Sequence, residues 1–321
     1  MSTSQLIQRV QDVCRVRQLS LATEKTYLGW LLRYAQDLPR MPKDWTSEQK
    51  MEAWLTRLAH QGVSKSTQSQ AFNALVFLYR DVLKQPLGSV NALRPKRAAH
   101  VRHAPSREET AALLREIRDL GGHPTRLVAL LLYGCGLRVS EPLNLRIKDV
   151  RLSDSQLVIR GAKGGKDRVV PIPCALMPHI KTQIAAARCQ WERMVNQRNV
   201  PVALPGALAR KYPRAPFAWQ WFWLFPASTP CLHPRTGETV LWRMHECNVQ
   251  RAVKAAAARA GLEGSVTPHV LRHAYATHAM QQGAFVRDVQ ELMGHAHLET
   301  TMGYLHAEVS RVTSPLDLLP A

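Results

Sequence analysis

Long apolar runs, paired cysteines and acidic side chains are what this sequence has little of. The longest apolar stretch, Leu127 to Leu137, falls short of the roughly 20 residues that a bilayer-crossing helix needs, so it reads as a buried helix and no membrane partner is expected. Met1 to Gln8 shows no basic stretch followed by an apolar one, so no signal peptide is read and a cytoplasmic protein is expected. Cys14, Cys135, Cys174, Cys189, Cys231 and Cys247 lie far apart with no C-x-x-C pair, which argues against a zinc ribbon or a disulfide framework. They are expected to be reduced, mostly buried, small apolar residues. No Walker-type phosphate loop, internal repeat or low-complexity tract is present. Acidic residues number 24 against 43 Lys and Arg, a net charge of +19, which is the balance of a protein that neutralises many phosphates.

At 321 residues the chain exceeds the usual ~100–200 per domain, so two domains are expected. Up to Pro86 apolar residues recur at three- and four-residue spacing: Leu6, Val10, Val13; Tyr27, Leu31, Tyr34; Met51, Trp54, Leu55, Leu58; Ala71, Leu75, Leu78, Val82. The pattern predicts a four-helix unit, with Thr46 and Gln49 as a capping box before the third helix. Arg94 to Arg107 holds five Lys or Arg and two prolines and reads as an extended basic linker, either wrapping a polyanion or merely solvated. Ser106 and Glu109 then form a second capping box. Leu157–Arg160 and Arg168–Ile172 are β-branched runs around the Gly-rich Gly161–Asp167, which predicts a β-hairpin with lysines at its tip. Residues 175–200 read as helix and 201–242, crowded with Pro, Gly and aromatics including Trp219-Gln-Trp-Phe-Trp223, as an irregular insertion without helix. Helical spacing resumes at Met244–Ala260 and again after Thr267-Pro268, with stops near Gly283 and Gly294.

Three motifs carry chemistry. Gly136-Leu-Arg138-Val-Ser-Glu141 ends a buried helix with an arginine. His269-Val-Leu-Arg272-His273 places His269 and Arg272 one helical turn apart on one face. Gly294-His295 adds an imidazole, and Tyr304 follows nine residues later. A phenol with a free pKa near ~10 serves as a nucleophile only where cations and an imidazole stabilise or deprotonate it. Phosphodiester transfer without metal needs those same cationic forks. A zinc reading of His269, His273, His295 and His297 lacks a thiolate or carboxylate at the expected spacing, and Arg272 would repel the cation.

In order and spacing, Arg138, Lys163, His269-x-x-Arg272, Gly294-His295 and Tyr304 resemble the tyrosine recombinases, the class of phage integrases and Cre-like enzymes. The match spans both halves of the chain. The resemblance implies a mainly α fold: residues 1–93 an N-terminal helical, SAM-like core-binding domain that clamps DNA, 94–107 the basic linker, and 108–321 an α+β catalytic domain with a small β-hairpin. It implies a metal- and ATP-independent DNA strand-transferring enzyme with no cofactor. Arg138 and Arg272 would grip the scissile phosphate, His269 would assist proton transfer, His295 would hydrogen-bond a phosphate oxygen, and Tyr304 would form a 3′-phosphotyrosyl bond. Lys163 matches the lysine that protonates the departing 5′-oxygen, with Lys166 as competitor. Arg94, Lys96, Arg97 and Lys166 are further candidate DNA contacts.

Tyr212 to Gly237, within the 201–242 insertion, resembles the extra element of integron integrases, bacterial enzymes that integrate and excise gene cassettes. The implied partners are a double-stranded attachment site, a folded single-stranded cassette site and copies of the chain, four on DNA. Trp219 and His245 would contact protruding bases; burial beneath the insertion is the other reading for Trp219–Trp223. Chromosome-dimer or phage-type recombination, and an inactive DNA-binding relative, are the alternatives. Two departures from the family pattern stand out: Gly303 precedes Tyr304 where a bulkier apolar residue is usual, and only His245 stands where integron integrases often pair histidines. Val309–Leu319, with Leu316, Leu318 and Leu319, reads either as an element docking into a neighbouring protomer or as a frayed tail.

Overall fold

Several helix starts in this protein are set by local side-chain chemistry, and both capping boxes form. The Thr46 Oγ1 accepts from the Gln49 N–H while Gln49 Oε1 accepts from the Thr46 N–H. Ser106 and Glu109 repeat the exchange, and each pair satisfies donors that a first helical turn leaves orphaned. The computed structural model describes residues 3–92, 104–161, 167–262 and 266–294, and the chain divides into two units, Met1–Val101 and Arg102–Ala321.

The first unit holds α1 (Thr3–Val16), α2 (Leu21–Asp37), α3 (Ser47–His60) and α4 (Lys65–Val76), the last continuing as a π-helical segment, Phe77–Val82. The predicted stripes form its core, with Trp54 edge-on to both Trp30 and Tyr34. The hydroxyls of Tyr34 and Tyr79 lie 2.9 Å apart and satisfy one another inside that core. Arg94, Lys96 and Arg97 lie outside the described residues. Arg107, read as the end of the linker, is the first residue of a helix, because Ser106 caps there.

The second unit contains α5 (Arg107–Glu116), α6 (Thr125–Gly134), α7 (Ser140–Leu143), α8 (Met177–Trp191), α9 (Gly206–Lys211), α10 (Glu246–Arg259), α11 (Pro268–Gln281) and α12 (Val286–Met293). α6 is the apolar run, its Leu127, Val128, Ala129, Leu131 and Leu132 all buried, and it packs against α10 and α11 at the centre of the core. No helix among the described residues is long and apolar enough to cross a membrane. Beside the helices lies an antiparallel sheet of β1 (Val150–Arg151), β2 (Gln156–Ile159) and β3 (Arg168–Pro171). β2 and β3 are the predicted hairpin, with Ile159 opposite Arg168; β1 is an unpredicted edge strand of two residues.

Two expectations are corrected. The insertion does contain a helix, α9, because Ala207-Leu-Ala-Arg-Lys211 are good helix formers. It also forms a two-stranded ribbon, β4 (Cys231–Leu232) with β5 (Thr239–Val240), and its Phe222, Trp223 and Leu241 share a core with Ala187, Met194 and Val195 from the helical stretch before it. The cysteines are not mostly buried: Cys14 and Cys135 are, whereas Cys174, Cys189 and Cys231 are exposed and Cys247 is half-buried. Cys189 lies off the α8 face that carries buried Ile180 and Ala187, and β4 is exposed at both of its residues.

Candidate active site

Arg138 follows a chain reversal that requires glycine. Gly136 adopts φ +60°, and a Cβ there would lie 2.4 Å from the ring of Tyr275, so both backbone and space exclude a side chain. The reversal delivers Arg138 to the start of α7, where Glu141 folds back on it. Glu141 Oε2 accepts the Arg138 backbone N–H at 2.8 Å, and Oε1 accepts from Arg138 Nη1 at 2.9 Å.

Arg272 reaches the same place from α11. Its Nη1 donates to the Gly136 carbonyl and its Nη2 to the Met293 carbonyl, both at 2.7 Å. Arg138 Nη1 lies 3.4 Å from that same Met293 oxygen, and its Nη2 donates to the Gly294 carbonyl at 2.9 Å. Two guanidinium forks therefore sit side by side on the last carbonyls of α12, where the helix leaves acceptors unpaired and its dipole is negative. Gly294 closes that helix at φ 65°, a left-handed cap.

A third arginine, which the motifs did not single out, completes the cluster. Arg168 pairs with both Glu141 oxygens, at 2.9 and 2.7 Å, and its Nε donates to the Leu292 carbonyl at 2.7 Å. Its sequence signal was register: Arg168 alternates with buried Val170 and Ile172 along the strand, and an arginine on a buried face must find a partner. Glu141 thus faces Arg138, Arg168 and, at 3.7 Å, Arg272. Burial opposes the Glu141 charge and is the largest single influence on it. Hydrogen bonds from Arg168 and the Arg138 backbone, with the Arg168 and Arg272 charges, outweigh burial together and hold the carboxyl below the usual range.

His269 lies in the first turn of α11, one turn before Arg272, exposed, and lines a cleft of about 580 Å³ together with Val139, Glu246 and Lys254. Lys163, Lys166, His295 and Tyr304 lie outside the described residues. Tyr275, a turn beyond Arg272, is held neutral: burial raises its pKa, Cys135 adds to this and Arg272 opposes it. Burial likewise pushes the Cys135 thiol up to about 12, which leaves it unreactive. Among the described residues no group of three or more His, Cys, Asp or Glu is arranged to hold a metal ion.

Of the residues expected at bases, His245 is exposed and caps α10, its Nδ1 accepting the Cys247 N–H at 3.2 Å. Trp219 is half-buried, with Phe222 stacked at 6.0 Å, Trp191 edge-on at 5.9 Å and the Arg188 guanidinium over its ring at 5.0 Å. Phe222 and Trp223 are core residues. Neither Trp219 nor His245 is joined to the arginine cluster by any contact described.

The phage integrase family matches residues 106–311, and the N-terminal SAM-like domain of phage integrases matches residues 6–89. An integrase/recombinase of Escherichia coli is 37% identical over 322 residues, covering 98% of this chain and 94% of that protein. The tyrosine recombinase XerD of Brucella suis is 34% identical over 276 residues, 80% of this chain and 77% of XerD. A lambda integrase dimer solved on a COC′ core site shares the fold, with a TM-score of 0.62 over 98% of both chains at 15% identity.

Proposed function

The chain belongs to the phage integrase family of site-specific tyrosine recombinases, and from that membership we propose that it is an integron integrase that cuts and rejoins DNA through Tyr304. One observation carries the recombinase part of the reading: Arg138 reaches the carbonyls of Met293 and Gly294 and Arg272 that of Met293, immediately ahead of His295 in the chain. A phosphate oxygen brings formal negative charge where a carbonyl brings only a dipole, so an incoming phosphate competes favourably for guanidinium donors that now rest on carbonyls.

In the proposed step the Tyr304 phenol oxygen attacks the scissile phosphorus and the bond from phosphorus to the 5′-oxygen breaks. The phenol proton passes to His269, and Lys163, or its competitor Lys166, gives a proton to the departing oxygen. Arg138, Arg272 and His295 stabilise the charge that builds on the non-bridging oxygens. Attack by a new 5′-hydroxyl reverses these events and releases Tyr304. One phosphoester is exchanged for another, so no nucleotide has a step to perform, and the arginines and His295 would take the charge that a metal could otherwise stabilise. Residues 1–93 and 108–321 would grip DNA as two jaws joined by the basic 94–107 segment, with four protomers on two sites, and the net charge of +19 supports phosphate contact throughout. The 201–242 insertion would hold protruding bases of a folded single strand, with Trp219 and His245 as contacts. The likeness to the tyrosine recombinase XerD favours a second reading, that of a chromosome-dimer or phage-type recombinase, which would be expected to join two duplex sites.

With DNA nicked beside the crossover, the wild-type chain is expected to trap a covalent adduct that survives EDTA, and Tyr304→Phe to trap none. An adduct formed by Tyr304→Phe removes Tyr304 as nucleophile. Recombination of a duplex attachment site with one strand of a cassette site, and not its complement, is the integron outcome. Equal use of both strands, or activity on duplex pairs alone, returns the XerD-like reading.

A further inference from the structure

The Glu141 carboxylate presents an imbalance that the proposed chemistry leaves unused. Three guanidiniums converge on one carboxylate, yet the only bidentate pair among them belongs to Arg168, a residue given no part in the reaction. Its side chain is 9% exposed and that of Glu141 7%, so this is a nearly desolvated pair, in which geometry and charge are strongly held. Arg168 also braces the end of α12. Its Nε binds the Leu292 carbonyl, and a Cβ on Gly294 would stand 3.2 Å from its Nη1 and 3.4 Å from its Cδ and Cζ. The guanidinium therefore fills the space beneath the helix cap on which Arg138 also rests.

We propose that Arg168 is a positioning residue for strand transfer. It occupies Glu141 so that the carboxylate orients Arg138 and Arg272 without consuming their charge, and it fixes the point where the chain leaves α12 for His295. This rests on the recombinase reading above. The geometry supports it in two ways. Without Arg168, both Glu141 oxygens would turn wholly to Arg138 and Arg272, and a carboxylate competes directly with a phosphate for the same forks. The Leu292 carbonyl would also lose its donor at the helix end that carries the contacts of the other two arginines. Strand β3, one side of the predicted lysine-bearing hairpin, is thereby tied to the arginine pair through a single side chain.

The test uses full-length Arg168→Met and Arg168→Lys with nicked DNA carrying either an ordinary phosphate or an uncharged methylphosphonate at the scissile position. Wild type and Tyr304→Phe are run beside them. Arg168→Met is expected to cleave the phosphate about 100-fold more slowly, in the range for loss of one preorganised charge-stabilising contact, while duplex affinity stays within about 3-fold. On the methylphosphonate, where less charge needs stabilising, the deficit should shrink below about 10-fold. A merely structural residue would lower both substrates equally, and that result, or wild-type rates on the phosphate, overturns the inference. If Arg168→Met fails to fold by circular dichroism, Arg168→Lys decides. Lysine keeps the charge but not the fork, so a phosphate-selective loss of about 10-fold is expected, and equal behaviour to wild type on both substrates overturns the proposal. A wild type that traps no Tyr304 adduct defeats the recombinase reading itself, which separates the two failures.

Discussion

Two sites of buried arginine in the second unit, one a cluster of three and one a single side chain, solve the same problem differently. Beneath α12, Arg138, Arg168 and Arg272 share the carboxylate of Glu141. At the root of the insertion, Arg146 is 7% exposed and its guanidinium meets no carboxylate among its described contacts. It donates to the carbonyls of Trp221 and of Ala203, the latter at 3.0 Å, and its Cζ lies 3.7 Å above the Trp223 ring. From Arg146, Asp149 accepts the backbone N–H, while its other oxygen accepts from Arg160 Nε at 2.7 Å. Burial lowers the Arg146 pKa to about 10, with Asp149 opposing, so it remains charged at neutral pH. Three charges around one carboxylate leave net positive charge for an incoming anion. A single charge shared between carbonyls and a ring leaves none to offer, and serves as a pin between the insertion and the turn before β1.

The comparison can be broken most severely at Glu141. Glu141→Gln leaves three guanidiniums around a neutral amide, and loss of one partner from a buried ion pair costs about 3 kcal/mol, to be read from the urea midpoint. Because the folded pKa of Glu141 is lowered, its contribution is complete above the unfolded value near ~4.3 and is lost as pH falls through the folded value. The stability gap between wild type and Glu141→Gln should therefore be constant from neutral to about pH 5 and close below that. A gap independent of pH would show that the carboxylate is not the hub.

A smaller effect is expected at Arg146. Arg146→Met keeps the length of the side chain but orphans two carbonyls, for about 2 kcal/mol in the same urea measurement. Covalent trapping on a duplex site should stay within about 3-fold of wild type, because no charge facing the phosphate has changed. A large loss of trapping would erase the distinction between the cluster and the single arginine. The smallest effect belongs to Trp219. Trp219→Ala should lower recombination of a folded single-stranded site about 10-fold while sparing a duplex attachment site, the size of one lost base stack. Equal loss on both would make the ring a packing element beside Trp191 and Phe222.

Local rules were legible in the sequence, and pairings over distance were not. Thr46 with Gln49 and Ser106 with Glu109 announce helix starts because cap and partner lie three residues apart. Leu127–Leu132 follows from an unbroken apolar run, and the two strands of the hairpin from β-branched runs about a Gly-rich turn. Arg138 and Arg272 were named through family resemblance, yet nothing local shows that both end on Met293. Arg168 shows locally only its strand register, because its partners, Glu141 and Leu292, lie 27 and 124 residues away. The exposure of Cys189 and the short α9 depended on which face tertiary packing claimed.

Gly136 and Tyr275 have a consequence for how such a chain can drift. The ring fills the volume a methyl group at 136 would need, so the two positions behave as a key and its slot across the turn and α11. A larger residue at 136 becomes tolerable only if 275 shrinks at once, and even then the left-handed backbone at 136 resists it. A smaller residue at 275 alone would open a void beside Arg272 and loosen the turn that presents Arg138. The aromatic ring and the missing side chain must therefore be inherited as one character.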